Sequence, residues 1–208
     1  MTVTVSILIG SESDLTLANK SSETLDSLSI SNSIQVLSAH RTPELLETHV
    51  RECEAGGTKV FIAMAGLAAH LAGAVASKTV FPVIGVPGDG GPLSGMDALL
   101  STVQMPKGIP VATVAIGSAG AINSAYLAAQ ILGVESESIR NSLLKVREDG
   151  VEAIKASNKK LADSYNTLTL TLTQKEIQIA NLKKQVADFE PGYQNCISAA
   201  NAGKEAKK

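Results

Sequence analysis

The sequence predicts a three-layer αβα sandwich built on a parallel sheet of about five strands, followed by a C-terminal helical extension. Three observations predict it. Aliphatic, β-branched runs recur at residues 3–9, 34–37, 59–63, 80–86 and 110–116, with helically spaced segments between them; strands alternating with helices build right-handed βαβ units and hence a parallel sheet. Aromatic residues make up 3% of the 208 and Trp is absent, so the core must be Ala, Val, Ile and Leu, which suits helices packed closely on a buried sheet. Beyond Gly133 charged residues return and glycine thins out, which marks an appendage to the sheet domain.

The first run enters its strand directly from Met1 and Thr2 with no basic segment before it, so no secretory signal is expected and the cytoplasm is the expected location. Gly10 breaks that strand, and a helix is expected over 15–28. The run 34–37 reads as a buried strand; Pro43, at home in a first helical turn, opens a helix over 43–55. The longest uncharged stretch, 60–77, is rich in Ala and Gly and interrupted by His70. It reads as a strand, a loop and a helix over 69–77 and not as a membrane span. A strand over 80–86, a glycine-rich loop and a helix over 95–101 follow. A last strand over 110–116 leads to an Ala-rich, nearly chargeless helix over 119–132, expected to be buried on most sides or packed on another subunit. The whole series is flavodoxin-like or Rossmann-like.

In the extension, Ile139, Leu143, Val146, Ile154 and Leu161 resemble one apolar stripe of a long helix. Gly150 costs such a helix only about 1 kcal/mol, so it is compatible with a continuous or a broken one. Residues 167–173 alternate Thr and Leu, which suits a strand, whereas 174–189 return to a helical pattern; both readings stand. The expected divisions are an α/β domain over 1–133, a helical extension over 134–190 and a mobile tail over 191–208.

Several function classes are disfavoured. A net charge of −2 lacks the basic face that neutralises phosphates, and scarce aromatics give no base-stacking platform, so no nucleic acid and no membrane is expected as partner. Cys53 and Cys196 lie far apart without metal-ligand spacing and read as reduced thiols. The three histidines form no i,i+4 pair, so no metal site is expected. Nor is there a G-x-G-x-x-G fingerprint, a Walker lysine or a G-x-S-x-G elbow, which disfavours nicotinamide, nucleoside triphosphate and serine-hydrolase chemistry.

Four loops at strand ends hold the candidate chemistry. In Gly10-Ser11-Glu12-Ser13-Asp14, hydroxyls and a helix N-terminus can take a phosphate and Asp14 can accept from ribose hydroxyls; a plain helix cap explains Ser13 or Asp14 equally well. Ser38-Ala39-His40-Arg41-Thr42-Pro43 sets a neutral-pH acid/base beside a guanidinium suited to bidentate phosphate contact, against the bland reading of a structural histidine. In Ala65-Gly66-Leu67-Ala68-Ala69-His70, small residues let backbone amides approach a carboxylate; His70 reads as a capping or core residue before a second base. His49 reads as a solvated side chain of its helix. Residues 87–95 suit a lid over a ligand, or an ordinary long turn.

Together with Pro82-Val83-Ile84-Gly85-Val86-Pro87 and Ser101-Thr102-Val103-Gln104-Met105-Pro106, these motifs resemble the class I N5-carboxyaminoimidazole ribonucleotide mutase family of purine biosynthesis, over residues 5–133. The resemblance implies a rearrangement without metal or cofactor, in which a carboxylate leaves an exocyclic nitrogen as carbon dioxide and is recaptured on the imidazole ring carbon. It implies His40 as general acid/base; Arg41, Ser13 and Ser38 as phosphate contacts; Asp14 as ribose contact. Ser11 with the loop of Gly66, Ala68 and His70 would form the pocket that retains carbon dioxide. It also implies a homo-octamer, with residues from 136 to about 160 reaching a neighbouring subunit's site. The chain departs from the family where Met64 and Leu67 replace glycines, which is expected to narrow that wall, and where Ala72 replaces a proline. The rival class II enzyme, which carboxylates aminoimidazole ribonucleotide directly, carries lysine at the place of Arg41. A catalytically silent nucleotide-binding scaffold is the alternative from another class.

Overall fold

The computed structural model describes residues 3–205; Met1 and Thr2, which precede the first expected strand, and the last three residues of the expected tail lie outside them. Five strands, β1 (Val5–Ile9), β2 (Asn32–Val36), β3 (Val60–Ala65), β4 (Val83–Pro87) and β5 (Ala112–Thr113), form one sheet in the order β2-β1-β3-β4-β5 with every pairing parallel. The connecting helices are α1 (Leu15–Ser27), α2 (Pro43–Ala55), α3 (Leu71–Ala76), α4 (Met96–Val103) and α5 (Gly117–Leu132), and α6 (Glu137–Glu205) follows. The chain divides into two compact units between Arg147 and Glu148.

Side-chain alternation along the strands sorts the first unit's core into two faces. Val5, Ile7 and Ile9 of β1 and Val60, Ile62 and Met64 of β3 meet Ala18 and Leu25 of α1 and Ala121, Ala125 and Ala128 of α5. On the opposite face Leu8, Phe61 and Ala63 meet Leu46 and Val50 of α2 and Leu71 and Val75 of α3. The small residues of α5 let α1 come close: Ser21 Oγ donates to the Ala121 carbonyl at 2.5 Å and lies 3.0 Å from Ser124 Oγ. The remaining side of α5, with Ala119, Ile122 and Gln130, is exposed. At the start of α6, Ile139 and Leu143 pack against this same core.

The sequence reading is corrected in three places, and one open choice, at 167–173, is settled. The run expected to be a buried strand, 34–37, lies on an edge strand: β2 pairs with β1 on one side only, and Val36 is 43% exposed. The last strand shrinks to two residues, Ala112–Thr113, and Pro110, which offers no N–H to a ladder, stands outside its start. Residues 167–173 are helical. The hydroxyls of Thr167, Thr169, Thr171 and Thr173 donate to the carbonyls four residues back at 2.9–3.1 Å, so the β-branched residues sit within the helix with their polar atoms satisfied. His49 is half-buried, not solvated: its Nε2 lies 3.3 Å from Ser6 Oγ and 3.3 Å from Cys53 Sγ, and burial holds its pKa below the ordinary 6.5.

Candidate active site

In the strand order 2-1-3-4-5 the connections leaving β1 and β3 run to opposite faces, which opens a crevice at the carboxyl ends of those strands. The loops that follow β1, β2 and β3 all reach this crevice, and a cleft of about 800 Å³ lies there. All nine residues singled out from the sequence line it: His40, Ser11, Ser13, Asp14, Ser38, Arg41, Gly66, Ala68 and His70.

The loop after β1 turns at Gly10 into a short 3-10 helix, Glu12–Asp14. Ser11 caps it, its Oγ accepting from the Ser13 amide at 3.3 Å and lying 2.5 Å from Ser13 Oγ. Asp14 precedes α1 without a side-chain capping bond; its carboxylate lines the cleft and turns back to Ser11 and Ser13. Burial pushes the Asp14 carboxyl above its ordinary 3.8, against the opposing pull of hydrogen bonds from Ser11 backbone and Ser13 side chain.

The loop after β2 is closed by Thr42, whose Oγ1 accepts from the Ser38 amide at 3.0 Å and donates to the Ser38 carbonyl at 3.1 Å. Pro43 then starts α2. Ser38 Oγ accepts from the Arg41 amide and from Arg41 Nε, at 3.2 and 3.3 Å, while Arg41 Nη2 donates to the Gly10 carbonyl at 3.1 Å. The guanidinium is thereby held between two loops, beside Ser38 and within the cleft that holds Ser13.

His40, exposed in the cleft, places Nε2 2.7 Å from His70 Nδ1, the rings meeting edge to face at 73°. His70 occupies the N-cap position of α3 yet makes no capping bond. It is neither the cap nor the core residue that the sequence favoured. A hydrogen bond between two ring nitrogens requires one to donate and the other to accept. The couple therefore holds a proton between His40 Nε2 and His70 Nδ1, on one ring or the other according to tautomer, an arrangement a proton-transfer group can use.

The wall after β3 differs from expectation at Met64. Even-numbered residues of β3 face α1 and α5, so Met64 is fully buried in that core and lines no part of the cleft. Leu67 does line it, with φ at 54°. It rests against Gly91, where a Cβ would run into Leu67 Cδ2. The glycine-rich loop expected as a lid contributes Gly88, Asp89, Gly90 and Gly91 to the cleft.

A family model described as AIR carboxylase matches residues 4–153. The chain belongs to that family. It is 47% identical over 154 residues to the N5-carboxyaminoimidazole ribonucleotide mutase of Pseudomonas aeruginosa, covering 74% of this chain and 94% of the relative. To the N5-carboxyaminoimidazole ribonucleotide mutase of Vibrio parahaemolyticus it is 48% identical over 153 residues, covering 74% and 95%. The crystal structure of Treponema denticola PurE superposes with a TM-score of 0.70 at 31% identity, covering 76% of this chain and 98% of that one.

One cation of the cleft escaped sequence reasoning. Lys20, on α1, lines the cleft and donates to Ser118 Oγ at 2.5 Å. The signal was present: Ser13, Thr16, Leu17 and Lys20 all line the cleft and follow one another at the spacing of one helix face. Ser118 is absent from the sequence reading because α5 reaches the cleft only through its first turn. Among the described residues no group of three or more His, Cys, Asp or Glu is placed to hold a metal ion, and no helix is long and apolar enough to cross a membrane.

Proposed function

We propose that this protein is an N5-carboxyaminoimidazole ribonucleotide mutase of purine biosynthesis, moving a carboxylate from the exocyclic nitrogen to the ring carbon of the imidazole nucleotide. The observation that carries this reading is the His40–His70 couple in one cleft with Arg41, Ser13, Ser38 and Asp14. The names of the relatives at 47% and 48% identity supply the substrate.

The roles follow from the chemistry of each group. Arg41, Ser13 and Ser38 take the phosphate, which a guanidinium and two hydroxyls suit. Asp14 accepts from the ribose hydroxyls. Protonated His40 gives its proton to the exocyclic nitrogen as the bond to the carboxylate breaks and carbon dioxide leaves. The ring carbon then attacks carbon dioxide, and neutral His40 removes the proton from that carbon, so the histidine ends in the state in which it began. Ser11 and the backbone of Gly66, Ala68 and His70 retain the neutral intermediate between the two steps, since an enclosed wall keeps water out and carbon dioxide in. Arg41, in place of a lysine, favours the isomerase over the direct carboxylase. The cytoplasm is the compartment, and the homo-octamer implied by the family resemblance is the assembly.

The test supplies purified protein with N5-carboxyaminoimidazole ribonucleotide in one assay and with aminoimidazole ribonucleotide plus bicarbonate in another. Isomerisation without efficient net carboxylation is expected. His40→Asn is expected to lower turnover by about 10²–10⁴-fold while nucleotide affinity stays within a few-fold. Unchanged turnover in that variant would remove His40 from its role.

A further inference from the structure

The second unit holds a face for which the proposed chemistry has no use. Residues 151–200 are all exposed, and the large apolar side chains among them recur at alternating steps of three and four. Assigning Val151 to position a of a heptad places Asn158, Tyr165, Leu172, Ile179 and Val186 at the following a positions. Ile154, Leu161, Leu168, Lys175, Leu182 and Phe189 then fall at d. Ten of these twelve positions are large and apolar, and each of the ten is 51–78% exposed. The helix continues through all of them without a break before Pro191. A strict seven-residue repeat is the signature of a left-handed supercoil between helices, not of a helix that serves a globular core, whose apolar stripe is wider.

We infer that residues 151–189 form one strand of a parallel two-stranded coiled coil with a second copy of this chain. The occupants of the seam select that geometry. Val151, Ile179 and Val186, β-branched, stand at a, and Leu161, Leu168 and Leu182 fill half of the d positions, the combination that favours two parallel strands over three or four. Asn158 at a is the device that fixes register, since it finds a hydrogen-bonding partner in an equivalent Asn only when two helices lie in parallel and in step. Lys175 is the single charged residue in the seam; its long alkyl stem lies along the apolar groove while its ammonium reaches water.

The flanking positions suit a copy of the same chain as the partner. Ser157, Ser164, Thr171, Gln178 and Gln185 occupy g and are all uncharged. In a parallel homodimer they face Ala162, Thr169, Glu176, Lys183 and Glu190 at e of the partner helix, so no like charges oppose one another. A heterotypic seam is specified by complementary charge at e and g, and here every g position lacks it. Thirty-nine residues of helix extend for about 58 Å, enough for more than five heptads.

Disulfide trapping in the full-length chain tests this, with Cys196→Ser as the background. Leu161→Cys and Leu182→Cys place a thiol at d on either side of the seam's midpoint, and Ile177→Cys places one at f, an equally exposed apolar site away from it. Under mild oxidation both d variants are expected to give a cross-linked dimer at least tenfold faster than the f variant. Circular dichroism of each reduced variant checks that helicity is unchanged. Equal trapping at all three sites, or trapping at none, would overturn the proposal. So would cross-linking only when a Leu161→Cys chain is mixed with an Ile179→Cys chain, the antiparallel outcome. A second measurement needs no thiol: Leu161→Asp with Leu182→Asp should lower the thermal midpoint of the helical signal, whereas Leu170→Asp with Ile177→Asp should not. The reverse order would also overturn it.

Discussion

Asp14 carries opposite consequences for binding and for stability. Its carboxyl is pushed above 3.8, chiefly by burial, so the folded state holds that proton more firmly than the unfolded one. The fold therefore gains from Asp14 as pH falls through the raised value and loses that gain as pH rises above it. At neutral pH Asp14→Asn is expected to leave the urea midpoint unchanged or higher while weakening nucleotide binding about tenfold, the size of one lost hydrogen bond to a charged group; calorimetric titration and denaturation read the two effects separately. His49 shows the converse sign. With its folded pKa below 6.5, it binds a proton more readily once unfolded, so stability is expected to fall as pH drops through 6.5. In His49→Gln that part of the pH dependence should vanish, read as urea midpoints compared above 6.5 and about one unit below it. A midpoint profile identical to the parent's would mean that Ser6 and Cys53 hold the ring without a preference for its neutral form.

Among the strands, β4 is tightly enclosed at Gly85. A Cβ at Gly85 would collide with Thr102 Cγ2 and lie 2.9 Å from Val111 Cγ1 and 3.2 Å from Ala72 Cβ. Gly85→Ala is accordingly expected to cost about 1–3 kcal/mol, measured by chemical denaturation, because helices α3 and α4 must both give way. Elements were legible in the sequence where one period dominated: Pro43–Ala55 was bounded correctly because Pro43 marks its start and its apolar spacing stops at Ala55. Periodicity could not show that 34–37 lies at an edge, since an apolar run reads alike in either place. It could not decide the Thr–Leu run either, because a threonine hydroxyl that returns to its own helix leaves no mark in the pattern. The site was legible through its loops, each of which follows a strand. Lys20 and Ser118 were not, because they meet 98 residues apart, a juxtaposition that only the packing of α1 on α5 creates.

For the whole molecule, every residue lining the cleft lies between Gly10 and Ser118, well before the division after Arg147. A chain ended at Lys160 is expected to keep its affinity for the nucleotide within about threefold while losing the cross-linking at the seam; calorimetric titration of both lengths checks the first. The parallel sheet also orders events during synthesis. The α1 face that holds Ala18, Ser21 and Leu25 is covered by α5, and Ser21 meets Ala121 only after 100 further residues have been added. At roughly 5–20 residues per second, that interval is about 5–20 s. Throughout it a nascent chain carries an apolar helix face with no lid of its own. That window, and not the finished protein, is where a chaperone would find the most to hold.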